Sequence, residues 1–518
     1  NDVYDDSVSG LSLTGMHLHT WNNGVSLYRT TNAQVRGCTF TVNQVGTMLM
    51  ATANSVLGGS RFEQMEQEAV YATTTCTYLT ISNNDIRSGF YEAIFLNEVQ
   101  HSTVSNNTID QVGSGIYVRS PSAADTITGN RLSNCAYDAI TLENAANCFV
   151  QNNVIDSSAA GGIVVSFASA VNNLVDSNTI SRTAQRGIYL IRAAGVTLTN
   201  NLIMQAGDYG IYADRMNGTT LTGNRISGGT HVTNGGIGIT AGAAITADSN
   251  AVTGCSGSAL VCVNSTGQHY FRSNRLSANG GCGVLLDSTA FATLTGNEIT
   301  DNDSWAVALY GTSFADTLVK NTVRPAAGRA AGNSATAGWT FDLTRNAWGS
   351  TDSGIIAAAM GGTNAALLQW QPYRLGTIDT RPGQDTIAPA APVSVTAVAV
   401  GLTGCSITWG PAGTEEEGGG NTADTAGFRI WRATAVFGPY VLAGTAMSTA
   451  TGFADSGLTI DSTYYYRVTA YDNHVPWPNE SWFSTAVASA TPSDSHSGPI
   501  WYVSSDTGSD AGSGSPAS

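Results

Sequence analysis

Two carboxylates, Glu92 and Asp138, each stand one residue ahead of an alanine that opens an alternating apolar run, AIFL at 93–96 and AITL at 139–142. Glu68 precedes Ala69 in the same way. If such runs stack as parallel strands, carboxylates one run apart are about 5 Å from each other and those two runs apart about 9.6 Å. Carboxyl pairs at these separations hydrolyse glycosidic bonds with retention and with inversion respectively. Glu92 and Asp138 are therefore a candidate acid and base pair. The same column could instead hold calcium, or be a solvated row of turns.

Within the runs, outward aromatics recur at the third position: Tyr71, Phe95 and Tyr117, then Tyr189 and Tyr212. Such a stripe suits stacking on sugar rings, and it is equally ordinary on the solvent face of strands. Just after the runs come Asn97, Glu98, Arg119, Glu143, Asn144, Arg192, Asp214 and Arg215. Arg119 and Glu143 on adjacent runs are expected to make a surface ion pair of small energetic worth. An elimination reaction would need a basic residue beside a charge-neutralised uronate, with Arg119 or Arg215 as candidates. His17, His19, His101, His231 and His269 share no column, and HExxH, GxSxG and nucleotide-loop patterns are missing.

The elements that must position these residues come from an internal repeat. Apolar runs open at Gly24, Gly46, Ala69, Ala93, Gly115, Ala139, Gly162, Gly187, Gly210, Gly236, Ala259, Gly283 and Ala306, at intervals of roughly 22 to 26 residues. That predicts thirteen rungs, or fourteen with residues 1–23. Period-two alternation, as in Ile116 and Val118 or Ile140 and Leu142, points one face inward. A second landmark is a column of amides: Asn84, Asn107, Asn130, Asn153, Asn178, Asn201, Asn224, Asn250, Asn274, Asn297 and Asn321. A repeat this short cannot bury its own apolar face, so the repeats must stack. Asparagine tolerates the left-handed backbone of a sharp bend, and its amide can both donate to and accept from the same amide one rung away.

Leucine-rich repeats and propellers fail on pattern, which leaves an all-β, right-handed parallel β-helix. On this column and these runs, residues 1 to about 375 resemble the bacterial extracellular right-handed parallel β-helix repeat proteins, whose fold is shared by pectate lyases and phage tailspikes. The stretch DLTRNAWGSTDSGIIAAAM with WQPYRL, containing Asn346, Trp348, Gly349, Trp370 and Pro372, is similar to the segment that closes such coils. The resemblance implies carbohydrate chemistry on an outward strand face where there is any. The motifs GHG, NxD with paired Asp, DPHE and RxxP, which pectin- and alginate-acting members lead one to expect, are not present. A Pro-, Ala- and Asp-rich stretch at 379–393 reads as a linker, after a coil domain at 1–378. SITWGPAG, GFRIWRA and STYYYRVTAYD within 394–492 resemble a fibronectin type III sandwich, read as a spacer. Residues 493–518 resemble the start of a further β-helix module.

Composition sets limits on partners. A formal net charge of −16, with only 22 Lys and Arg, argues against nucleic acid or an anionic membrane surface. No apolar run is long enough to span a bilayer. The eight cysteines lack CxxC spacing and read as buried small hydrophobes, so no metal site and no cofactor is expected, and calcium is an unsupported alternative. The resulting expectation is a non-catalytic extracellular or cell-surface structural or adhesive rod. It would assemble head to tail with copies of itself or adjacent modules through residues 498–518 and the open coil near 1–23, and possible contact with cell-surface polysaccharide is part of that expectation. The alternative is a polysaccharide lyase or glycoside hydrolase.

Overall fold

The structure is a computed structural model that describes residues 3–19, 22–230, 235–326, 328–336, 338–350, 352–371, 373–374, 388–412, 425–436, 440–473, 478–481, 483–484 and 487–493. The tail at 498–518, most of the linker at 379–393, Pro372 and His231 lie outside the described residues. The chain divides into two compact units, Asn1–Thr380 and Arg381–Ser518.

In the first unit three parallel sheets run side by side. Two have sixteen strands and the third has fourteen. The first sheet begins at Val3–Asp6 and ends at Met360–Gly361, the second runs from Ser12–Thr14 to Leu368–Gln369, and the third from His17–His19 to Thr322–Arg324. Every strand pairs with the strand one turn further on, so identical side chains stack: Val70, Ile94, Ile116, Ile140, Ile163, Ile188 and Ile211 form one unbroken buried register. Fifteen spacings of about 4.8 Å between the sixteen stacked strands make a coil about 72 Å long. The thirteen or fourteen rungs read from the sequence fall short. Ala331–Asn333 and Met360–Gly361 complete two further turns without the isoleucine-led pattern that marks the others.

The amide column is a continuous ladder. Asn84 Nδ2 donates to Asn107 Oδ1 at 2.9 Å, while the Asn84 backbone N–H donates to the same oxygen at 3.0 Å. Each Nδ2 also reaches a backbone carbonyl of an earlier turn, Ile81 for Asn107 and Val104 for Asn130. The pattern repeats to Asn321, whose Nδ2 donates to Asn346 at 3.0 Å, so Asn346 is a further rung. No polar atom of these buried amides is left over, which is what a water-free interior requires.

One local reason differs from that read in the sequence. The left-handed backbone falls not on the ladder asparagine but on the residue before it: Asn83, Asn106, Gly129, Asn152 and Asn200 have φ of 53–67°. The doubled asparagine thus divides its labour, the first bending the chain and the second filling the ladder. The small residues that open the first-sheet strands are set by close packing. A Cβ on Gly115 would lie 2.3 Å from the Ala139 carbonyl oxygen and from the Leu132 side chain.

All eight cysteines are buried free thiols. Among the described residues no helix is long and apolar enough to cross a membrane.

The second unit consists of two antiparallel sheets. Thr396–Val400, Gly404–Thr408 and Gly452–Ser456 form one, and Val441–Met447, Thr425–Ala433, Tyr464–Asp472 and Ala488–Ala490 form the other. Cys405, Ile407 and Trp409 from the first pack with Phe428, Ile430, Tyr466 and Val468 from the second in one apolar core. Asp455 ties the sheets together, accepting from Tyr466 at 2.8 Å and from Arg432 at 3.0 Å.

Candidate functional site

The outer face of the first sheet carries the aromatic column in strict register. Tyr71, Phe95, Tyr117, Thr141, Val164, Tyr189 and Tyr212 occupy equivalent positions on successive turns. Tyr71 and Phe95 stack at 5.3 Å, Phe95 meets Tyr117 edge-on at 5.5 Å, and Tyr189 stacks on Tyr212 at 5.6 Å. The column is therefore two short stacks with a gap. Where Thr141 and Val164 replace the rings there is a cleft of about 440 Å³, walled by Tyr117 on one side and Tyr189 on the other.

The column ahead of the strands supplies one end of this cleft. The Gly115 N–H donates to the Asp138 carbonyl, and the Gly162 N–H donates to the Arg186 carbonyl, so Asp138, Gly161 and Arg186 follow one another on successive turns. Asp138 Oδ1 accepts from the Gly161 N–H at 2.7 Å. Burial raises the Asp138 carboxyl above its ordinary range, opposed by that N–H and by the Arg186 charge. The Arg186 guanidinium lies 4.6 Å over the Tyr189 ring and 5.1 Å from that of Tyr212, with Nε 3.1 Å from Asp208 Oδ2. Tyr209 stacks on Tyr212 at 4.9 Å and completes this aromatic and cationic cluster.

The opposite end is set by the residues that close the strands. Glu143 accepts the Tyr117 hydroxyl hydrogen and lies 3.7 Å from Arg119 Nε. Burial, and then the Glu143 hydrogen bond, raise the Tyr117 phenol above its ordinary value. Ser166 and Phe167 line the same end.

Of the candidates read from sequence, Tyr117, Asp138, Glu143 and Tyr189 line this one cleft, and Arg119 stands behind Glu143. Tyr71, Phe95 and Tyr212 extend the column beyond its walls. Glu92 stands two turns from Asp138, with Ser114 on the turn between them, and does not line the cleft. Arg215 is held by Asp214 at 2.6 Å and also lies outside the lining. Arg186, Gln185 and Phe167 were not singled out in the sequence. Arg186 occupies the slot before the small residue Gly187, as Asp138 does before Ala139, so a search of that slot for cations as well as carboxylates finds it.

Comparison with known proteins adds the following. The family described as right handed beta helix region matches residues 114–274 and 171–323, and the family described as periplasmic copper-binding protein (NosD) matches residues 1–136. No curated protein matches the chain. Among solved structures, the A-module of a mannuronan C-5 epimerase from Azotobacter vinelandii is similar at 12% identity and a TM-score of 0.40, over 63% of this chain and 89% of that one. The catalytic unit of a thermostable α-1,3-glucanase from Streptomyces thermodiastaticus is similar at 15% identity and a TM-score of 0.38, over 66% and 64%. An Fn3-like protein from Clostridium thermocellum is similar at 28% identity and a TM-score of 0.16, over 20% of this chain and 94% of that one.

Copper does not fit what is seen. Among the described residues no three His, Cys, Asp or Glu side chains come together as a metal-binding group, and the thiols are buried. No metal is assigned to the cleft. With two family matches along residues 1–323 and three parallel sheets stacked turn upon turn, the first unit has the fold of a right-handed β-helix repeat protein.

Proposed function

We propose that this protein is a non-catalytic extracytoplasmic rod that holds a polysaccharide at the cleft between Tyr117 and Tyr189. The observation that carries the reading is the gap in the aromatic column, which leaves two ring-bearing walls over a floor of Thr141 and Val164. Aromatic walls suit the C–H faces of pyranose rings, and Asp138, Gln185 and Ser166 offer acceptors and donors to hydroxyls. Binding without cleavage is favoured by geometry. Asp138 and Glu143, the two carboxylates that line the cleft, stand at its opposite ends with backbones about 16 Å apart. Glu143 is also already engaged by Tyr117 and Arg119.

The periplasmic name of the family matched at residues 1–136 supports a location outside the cytoplasm, in keeping with an extracellular or cell-surface rod. The shared core of the two antiparallel sheets supports a fibronectin type III-like spacer after the coil. Head-to-tail association through 498–518 and the coil near 1–23 belongs to the same proposal, and loss of ordered assemblies on deleting 498–518 is its test.

The test of glycan binding is calorimetric titration with xylan, glucomannan, laminarin, polygalacturonate and alginate, with product analysis on the same mixtures. Saturable binding without chain shortening supports the reading, and failure of every glycan to bind overturns it.

One observation favours a second reading, that of a hydrolase or lyase. Burial raises the Asp138 carboxyl, the direction a general acid needs, and outweighs the opposing Gly161 N–H and Arg186 charge. Shortened or unsaturated products that vanish in Asp138→Asn would establish it.

A further inference from the structure

The cleft is open along the strands and closed along the rod axis. Tyr117 and Tyr189 stand across the axis as walls three turns apart, about 14 Å between backbones, while Thr141 and Val164 keep the floor low between them. An exposed aromatic accompanies each end. Phe167, which lines the cleft beyond Ser166, is 40% exposed, and Tyr137, outside the lining but next to the lining residue Asp138 in the chain, is 64% exposed. Tyr71 and Phe95 stack at 5.3 Å, Phe95 meets Tyr117 edge-on at 5.5 Å, and Tyr212 stacks on both Tyr189 and Tyr209, so ring faces along this column are taken up by neighbouring rings.

From this arrangement we infer that the polysaccharide crosses the rod instead of following it. Its chain passes between the Tyr117 and Tyr189 walls, parallel to the strands, with sugar rings resting on Tyr137 at one edge and on Phe167 at the other. The inference rests on the glycan-binding reading of the cleft and adds a direction to it. A transverse path also bounds the ligand. The protein grips a short internal stretch, about 16 Å from the Asp138 edge to the Glu143 edge, and leaves the rest of the chain free on both sides. Many rods could then share one glycan strand.

The test uses the full chain and the best-bound polysaccharide of the five above, with a size series of its oligosaccharides. Tyr137→Ala and Phe167→Ala are each expected to weaken binding about five- to tenfold, the effect of one aromatic contact. Tyr137→Phe, which keeps the ring, should restore parent affinity and so separates a contact from a folding defect. Affinity should stop rising once the oligosaccharide spans the cleft. Parent affinity in both edge variants, together with a loss in Tyr71→Ala, overturns the transverse path and leaves glycan binding standing. Affinity that keeps climbing with oligosaccharides much longer than the cleft overturns it too. If the parent binds none of the five, the underlying reading fails as well, an outcome distinct from the other two.

Discussion

The backbone N–H of Gly161 holds the carboxylate of Asp138 at 2.7 Å, one turn away across the edge of the cleft. A Cβ on residue 161 would stand 2.8 Å from that same oxygen. Gly161→Ala is therefore expected to displace the carboxylate while the surrounding strands stay paired. Glycan affinity should fall about tenfold or more, with a stability loss of about 1 kcal/mol from the weakened hydrogen bond. Calorimetric titration paired with thermal melting checks this; unchanged affinity would remove Asp138 from the binding edge.

The doubled asparagines separate two kinds of cost. Asn130 accepts from the Asn107 backbone N–H and Nδ2, and it donates to Val104 and Asn153. Asn130→Ala takes the side-chain acceptor from the buried Asn107 backbone N–H and removes one bond each from Asn107 Nδ2 and Asn153 Oδ1, which keep the Ile81 carbonyl and the residue-130 N–H. It should cost about 2–4 kcal/mol in urea unfolding, since a buried orphan costs about 1–3 kcal/mol and each further bond about 1 kcal/mol. Asn83 bends the chain at a φ of 56°, a slot that Gly129 fills further along. Asn83→Gly is expected to lie within about 0.5 kcal/mol of the parent. Equal losses in the two variants would contradict the division of roles.

How far the fold was legible follows from the same residues. A coil whose turns contact only their neighbours writes its geometry into the sequence at a fixed period. The isoleucine register and the ladder from Asn84 to Asn321 could thus be read directly. The last turns escaped because Ala331–Asn333 and Met360–Gly361 carry no branched inward pair. The site was legible in part. Tyr117, Asp138, Glu143 and Tyr189 each belong to a visible column, but the cleft is defined by two residues that break a column, Thr141 and Val164. A search for chemically capable side chains passes over small ones whose contribution is space.

A buried acid inside the coil makes stability depend on pH. Asp125 accepts from the Ser102 N–H at 2.8 Å, and its other oxygen is buried without a partner. Burial pushes its carboxyl up to about 7. The folded state thus prefers the protonated acid more than the unfolded chain does. The associated stability is fully present below about pH 4, the range of a free aspartate, and is lost as pH rises through about 7. The loss is at most about 4 kcal/mol. Two turns along the same column, Asn173 donates Nδ2 to the Ala145 carbonyl at 2.9 Å, the bond a neutral group makes in this slot. Asp125→Asn should raise the urea midpoint at pH 8 and flatten its decline between pH 4 and 8. A slope equal to the parent's would assign the pH dependence to other groups, with Asp316, pushed up to about 6 by burial, next in line.

Filling the gap in the aromatic column tests the cleft while keeping Asp138, Glu143, Ser166, Gln185 and Arg186 in place. Thr141 is in register with Tyr117, and Val164 with Tyr189. A ring at either position would continue an existing stack, and the neighbouring rings of those stacks already sit 5.3–5.6 Å apart. Each added aromatic pair contributes about 0.5–1.5 kcal/mol, which offsets the smaller side chain's lost packing. Thr141→Tyr and Val164→Tyr should therefore melt at or above the parent temperature. The new rings would occupy the space between the walls, so glycan affinity should drop by more than tenfold in the double variant. Most substitutions that abolish binding also destabilise, and this one is expected to separate the two effects. Retained affinity in a stable double variant would move the glycan off the cleft, and with it both the proposed site and the transverse path.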